Sequence, residues 1–147
     1  MQNGDYFALE QPIVDQLKTI DGIEAVYTHF SIEDMMQGTA ASPSVSVIYI
    51  DDRIGEALNN GQVNCIYQQW LIVLAVEEAG SKLENTIEIR KKASPFIIEN
   101  KKKLQGFDAD LVGIDVLQRA NAGVQHMSAA GKLWMPFLFE AKIFNVN

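Results

Sequence analysis

His29, His126 and Cys65 are the residue types most often recruited as bases, metal ligands or nucleophiles, and none has a partner close by in the sequence. The two histidines lie far apart and lack the spacing of a metal-ligand pair. Cys65 has no CxxC partner and falls in a predicted strand, where a small packing residue is the expected role. Asp51-Asp52 and Glu77-Glu78 are paired acids of the kind that bind a cation or move a proton. Adjacent strand residues point to opposite faces, so neither pair converges by itself, and both read as solvated strand ends. Arg90-Lys91-Lys92 and Lys101-Lys102-Lys103 could hold phosphate, but three consecutive charges on a helix fan out around its axis. They read as a solvated face, with lysines favoured near the helix C-terminus by the dipole. No GxGxxG or P-loop spacing occurs. The sequence predicts no catalytic set, no cofactor, no metal site, and so no enzyme.

The composition is that of one folded domain spanning residues 1–147. Hydrophobic residues make up 48% of the chain, too many for a disordered segment. The net charge of −7 argues against general affinity for nucleic acid, whose phosphates it would repel. A single cysteine allows no internal disulfide and suits a reducing compartment. The N-terminus lacks a basic start and an apolar core, so no signal peptide is expected. The longest apolar run, residues 70–76, is far short of a membrane span.

Several elements must position these residues. Residues 7–20 read as a helix with Ile13, Val14, Leu17 and Ile20 on one stripe and Pro12 in the first turn. Asp21-Gly22 ends it, and residues 23–30 form a short strand. Ser31-Ile32-Glu33-Asp34 fits a capping box opening a short helix that Gly38 closes. Residues 45–50 alternate as a second strand, Asn59-Asn60-Gly61 signals a turn, and residues 62–77 form a longer third strand. Ser81 to Glu84 is a second capping box, opening a helix to about Leu104 with Leu83, Ile87, Ser94, Ile97 and Ile98 on one face. Pro95 is expected to kink or split it, and Gly106 to end it. Residues 111–118 and 132–145 give two closing strands, and the Ala-, Gly- and Ser-rich stretch 119–131 between them reads as mobile. The predicted fold class is α+β: an antiparallel-rich sheet with two main helices on one face and a long projecting hairpin.

Surplus apolar surface is the informative feature. Residues 70–76 present large apolar side chains on both sheet faces, and Leu133, Met135, Phe137 and Phe139 alternate with Trp134 and Leu138. Two helices cover one face, so the other is expected to be covered by a neighbouring subunit. Pro136 within the last strand points to an edge or bulge, where neighbours add on. The expected interface comprises Arg53, Ile54, Leu58, Asn59, Asn60 and Val63 of the hairpin, with Trp134, Met135 and Phe137 of the last strand.

The whole layout resembles the tail terminator proteins of long-tailed bacteriophages. The matching parts are the N-terminal helix with Ile13, Leu17 and Ile20, the strand after Asp21-Gly22, the short helix 31–37, the hairpin through Tyr67 to Val76, the following helix, and the closing strands ending at Phe144. Pro95 departs from the family's pattern. The resemblance implies a structural virion protein of the tail or neck. It would form a homo-oligomeric ring, a hexamer, on the end of the tail tube, stop polymerisation of the tube protein, and join the tail to the head–tail connector. Phage DNA would pass through without specific binding. Two other readings remain open: another neck or tail completion protein of a phage or contractile injection system, and a small-molecule-binding regulatory α+β domain.

Overall fold

The computed structural model describes residues 4–38, 41–58, 63–78, 86–129 and 131–146. Helix α1 (Glu10–Leu17) buries Ile13, Val14 and Leu17. It is shorter than the expected 7–20 because turns occupy the residues on either side, although Leu9 and Ile20 still pack into the core. Pro12 stands in the first turn, where a missing N–H is no loss. Strand β1 (Ala25–His29) leads into helix α2 (Ile32–Gln37). The Ser31 hydroxyl caps α2 by accepting from the Asp34 N–H at 3.1 Å, and Gly38 closes the helix.

Strands β2 (Ser44–Leu58) and β3 (Val63–Glu77) pair antiparallel as a long hairpin. At about 3.3 Å per residue, its 15-residue arms span about 50 Å. The turn signal 59–61 lies outside the described residues, as does the proposed capping box 81–84. Helix α3 (Ile87–Leu104) follows, then β4 (Ile114–Ala120), β5 (Met127–Ala129) and β6 (Lys132–Val146). The strands form one sheet in the order β1-β2-β3-β6-β4, with β5 also paired to β6. β1 runs parallel to β2, and the other pairings are antiparallel. The fold is thus α+β with a mostly antiparallel mixed sheet.

Four local expectations need correction. β2 runs well past residue 50, because a bulge between Tyr49 and Asp51 breaks the alternation without ending the pairing. α3 passes through Pro95 as a single helix. Pro95 lies on its exposed side, where water can serve the carbonyl that the missing N–H leaves over. The buried stripe of α3 is Ile89, Ala93, Asn100 and Leu104, whereas Ile87 and Ile98 face outward. The stretch 119–131 contains β5, which pairs Met127 to Trp134 and Ala129 to Lys132.

The core has two parts. On the helix side, Val45, Val47, Trp70, Ile72, Leu74, Phe137, Phe139 and Ile143 pack under α1 and α3. On the opposite side, Ile48, Leu71, Val73 and Leu138 are also buried. Their cover is Met35 and Ile32 of α2 together with Ala120, Ala122, Met127 and Trp134. The expectation that this face must await a neighbouring subunit is therefore corrected: one short helix and the β4–β5 segment close it within the chain. No helix among the described residues is long and apolar enough to cross a membrane.

Candidate assembly surface

β1 follows β2 only as far as Ile48, so from Tyr49 outward β2 is the edge of the sheet. β3 is backed by β6 over nearly its whole length, from Glu77 opposite Lys132 to Asn64 opposite Val146. The distal hairpin is thus one side of a four-stranded ribbon, β2-β3-β6-β4, as far as Ile54, Ile66, Ile143 and Ile114. Its edge strand carries Arg53, Ile54, Glu56 and Ala57 exposed, with Ile54 at 62%. A second bulge, between Ile54 and Ala57, twists this edge further.

One face of the ribbon is locked by an ion pair. Arg53 on β2 reaches across β3 to Glu140 on β6, donating from Nε at 3.2 Å and from a terminal nitrogen at 2.6 Å. Gln69 on the intervening strand donates to the same carboxylate at 3.2 Å. These hydrogen bonds, Arg53 first and Gln69 second, hold the Glu140 carboxyl below the usual range against the opposing effect of burial. The Arg53 guanidinium also lies 4.0 Å from the Tyr67 ring centre. Gly55 makes room for that ring: a Cβ there would stand 2.8 Å from Tyr67 Cε2 and 3.0 Å from the Cys65 carbonyl oxygen.

The other face ties the N-terminal turns to the hairpin. The Tyr6 and Tyr49 hydroxyls both donate to Asp52, the latter at 2.7 Å. Gln68 donates to the Tyr6 carbonyl at 2.9 Å and accepts from the buried Trp70 indole at 3.1 Å. Phe7 stacks edge-on to Tyr49 and Trp70 at 5.0 and 6.5 Å. Burial, then the hydrogen bond to Asp52, pushes the Tyr6 hydroxyl up to about 12, and the same causes raise Tyr49.

The expected interface residues divide. Arg53 and Ile54 are on the exposed edge, and Leu58 pairs with Val63 at its end. Asn59 and Asn60 lie outside the described residues. Trp134 is half-buried against Met127 and α2, and Met135 is half-buried against the helix-side core. Phe137 is only 2% exposed and belongs to the subunit's own core, so its ring is not free surface.

The chemically capable residues stay apart. His29 sits on β1 beside the Tyr27 ring at 5.8 Å, while His126 is exposed just before β5. Cys65 is buried in β3. Asp51 and Asp52 diverge as expected: Asp52 meets the tyrosines, and Asp51 is exposed and accepts only the Asp52 N–H among the hydrogen bonds of the described residues. Glu77 is exposed, and Glu78 stands 3.9 Å from Lys92. Among the described residues no three His, Cys, Asp or Glu side chains come close enough to hold a metal. The arrangement offers a rigid, charged ribbon rather than a nucleophile beside a base.

Sequence reasoning missed Tyr6, Gly55, Tyr67, Gln69 and Glu140. Two signals pointed to them. Glu140 interrupts the apolar run of the last strand, and Gly55 interrupts a strand whose glycine needs a reason.

The comparisons with known proteins agree with this architecture. A model of the phage tail terminator protein family matches residues 2–145. No curated protein matches. The fold is similar to that of a chain in a solved structure described as the virion of a native gene transfer agent particle. That likeness covers 90% of this chain and 92% of the other at 19% identity, with a TM-score of 0.55. With a family match over nearly the whole chain, the protein belongs to the phage tail terminator family and is a structural component of the virion tail, not an enzyme.

Proposed function

We propose that this protein caps the tail tube. It assembles as a homohexameric ring on the finished end, stops addition of tube protein, and offers its opposite face to the head–tail connector in the neck. The family match across residues 2–145 carries this reading. The braced hairpin supports it, because its distal part from Tyr49 to Leu58, about 30 Å long and stiffened by Arg53 and Glu140, can reach a neighbouring subunit or the tube.

A ring of identical subunits uses unlike patches that close by rotation. Because the second sheet face is covered within the chain, those patches are edges and flanks rather than a bare sheet. Arg53, Ile54, Leu58, Asn59, Asn60 and Val63 form the hairpin contact, with Trp134 and Met135 at its other end. The net charge of −7 suits a channel that phage DNA crosses without sticking.

Light scattering of the purified chain, alone and with tube protein, tests the ring. A mass six times that of the subunit is expected, with tube ends acting as template where the free chain is dilute. A strict monomer that also leaves tube ends bare contradicts the proposal.

A further inference from the structure

The layer order gives the subunit two unlike flanks. α1 packs on β1, β2 and α3, while α3 packs on β3 and β6. β1, α1 and α2 therefore form one flank, and α3 with β4 forms the other. Residues 4–38 hold seven acidic side chains against one lysine, whereas α3 holds six basic against two acidic.

On the first flank, Glu10, Thr28, His29, Phe30 and Asp34 line an open cleft of about 470 Å³. Phe30 at its rim is 95% exposed. Burial, then the nearby Asp5 carboxylate, pushes the Glu10 carboxyl above its ordinary value, so a cation placed here would be welcome. On the second flank, Lys101 and Arg119 stand 5.9 and 5.1 Å from the centre of one ring, that of Phe137. Lys91, Lys92 and Lys102 each have an acidic partner within 4 Å, but among the described residues neither Lys101 nor Arg119 forms an ion pair. Two like charges sharing one ring repel, and an incoming carboxylate would relieve them.

We propose that the ring closes flank to flank, with the Glu10–Asp34 cleft of one copy docking on the Lys101–Arg119 pair of the next and Phe30 as its apolar anchor. This rests on the ring reading and names the surfaces that make the ring. The occupant is a second copy because the complementary charge is on the same chain, on the opposite flank, as a head-to-tail contact requires.

The test is a charge swap in the full chain. Lys101→Glu with Arg119→Glu makes the docking pair acidic like the cleft, and Glu10→Lys with Asp34→Lys makes the cleft basic like the docking pair. Each variant alone is expected to remain a folded monomer by circular dichroism, with the assembly midpoint raised about tenfold or more. An equal mixture of the two should return rings of alternating subunits, and so should the chain carrying all four changes.

Rings that form as readily in both reversed variants as in the wild type overturn the inference alone, even if DNA retention changes, since the cations would then serve DNA. Failure of both the mixture and the fourfold variant to restore rings also overturns it. Absence of wild-type rings, tube ends included, overturns the ring reading with it. If Glu10→Lys unfolds the chain, the wild type decides: rings should loosen as salt rises from about 0.05 to about 1 M, and rings indifferent to salt overturn the proposal.

Discussion

The guanidinium of Arg53 grips both carboxylate oxygens of Glu140 across an intervening strand, at 3.2 and 2.6 Å, tying β2 to β6 although the two never pair. Glu140 is almost buried and Arg53 half-exposed, so the bond matters more to Glu140 than to its partner. Arg53→Ala leaves a buried carboxylate with Gln69 as its remaining donor among the described residues. After discounting for the solvent at Arg53, the expected loss is about 1–2 kcal/mol, read from the denaturant midpoint.

The pH dependence has a definite sign. The folded Glu140 carboxyl titrates below its ordinary value, so its stabilisation is present above about pH 4.5 and is lost as pH falls through the lowered value. The stability difference between the wild type and Glu140→Gln should shrink as the pH drops below about 4. Curves that stay parallel down to about pH 3 would show that the pair contributes nothing.

Gly55→Ala should loosen the distal hairpin. The added methyl meets the Tyr67 ring and the Cys65 carbonyl oxygen at 2.8 and 3.0 Å, and the second contact is backbone that cannot swing aside. The expected cost is about 1–3 kcal/mol. Tyr67→Ala added to it should recover only part of the loss, because the carbonyl contact stays. Thermal melts of the three proteins decide this, and an unchanged melting temperature in Gly55→Ala would refute the close packing.

Tyr6 and Tyr49 should ionise late. Of the four tyrosines, these two donate to Asp52, and Tyr6 is pushed up to about 12. A raised folded value means that the protonated tyrosine's contribution is complete below about pH 10 and lost as pH climbs toward 12. Ultraviolet titration should show a delayed fraction that Asp52→Ala shifts downward. An identical titration in that variant would mean that burial alone holds the phenols.

Much of the fold was legible because local chemistry marks it. Ser31 and Gly38 bracket α2, Gly106 follows α3, and the doubly apolar run from Trp70 required a central strand. The helix phase of α3 was not legible. Isoleucines at 87, 89, 97 and 98 allow more than one stripe, and the true one is completed by Ala93 and Asn100, which carry little apolar signal. The second sheet face misled for a related reason: its cover is Met35 and small residues such as Ala120 and Ala122, too slight to read as a layer. Phe137 alternated as a surface residue should, yet α3 and Arg119 lie over it. Arg53 and Glu140 meet across 87 positions, a contact that only the sheet order creates.

A structural role predicts tolerance where an enzyme would show none. Cys65→Ser, His29→Gln and His126→Gln should each reduce phage yield only slightly in a complementation assay, since among the described residues none of the three is joined by a side-chain hydrogen bond or ion pair to a base or nucleophile. One such change that abolished yield in a folded, ring-forming protein would point to a hidden reactive site.

The most direct measurement follows tube length. Tube protein polymerised with this chain present, and imaged by electron microscopy, should give tubes that stop growing and carry a ring of added density at one end. Tubes of unchanged length with bare ends, at concentrations where the chain is folded and in excess over ends, would contradict the account.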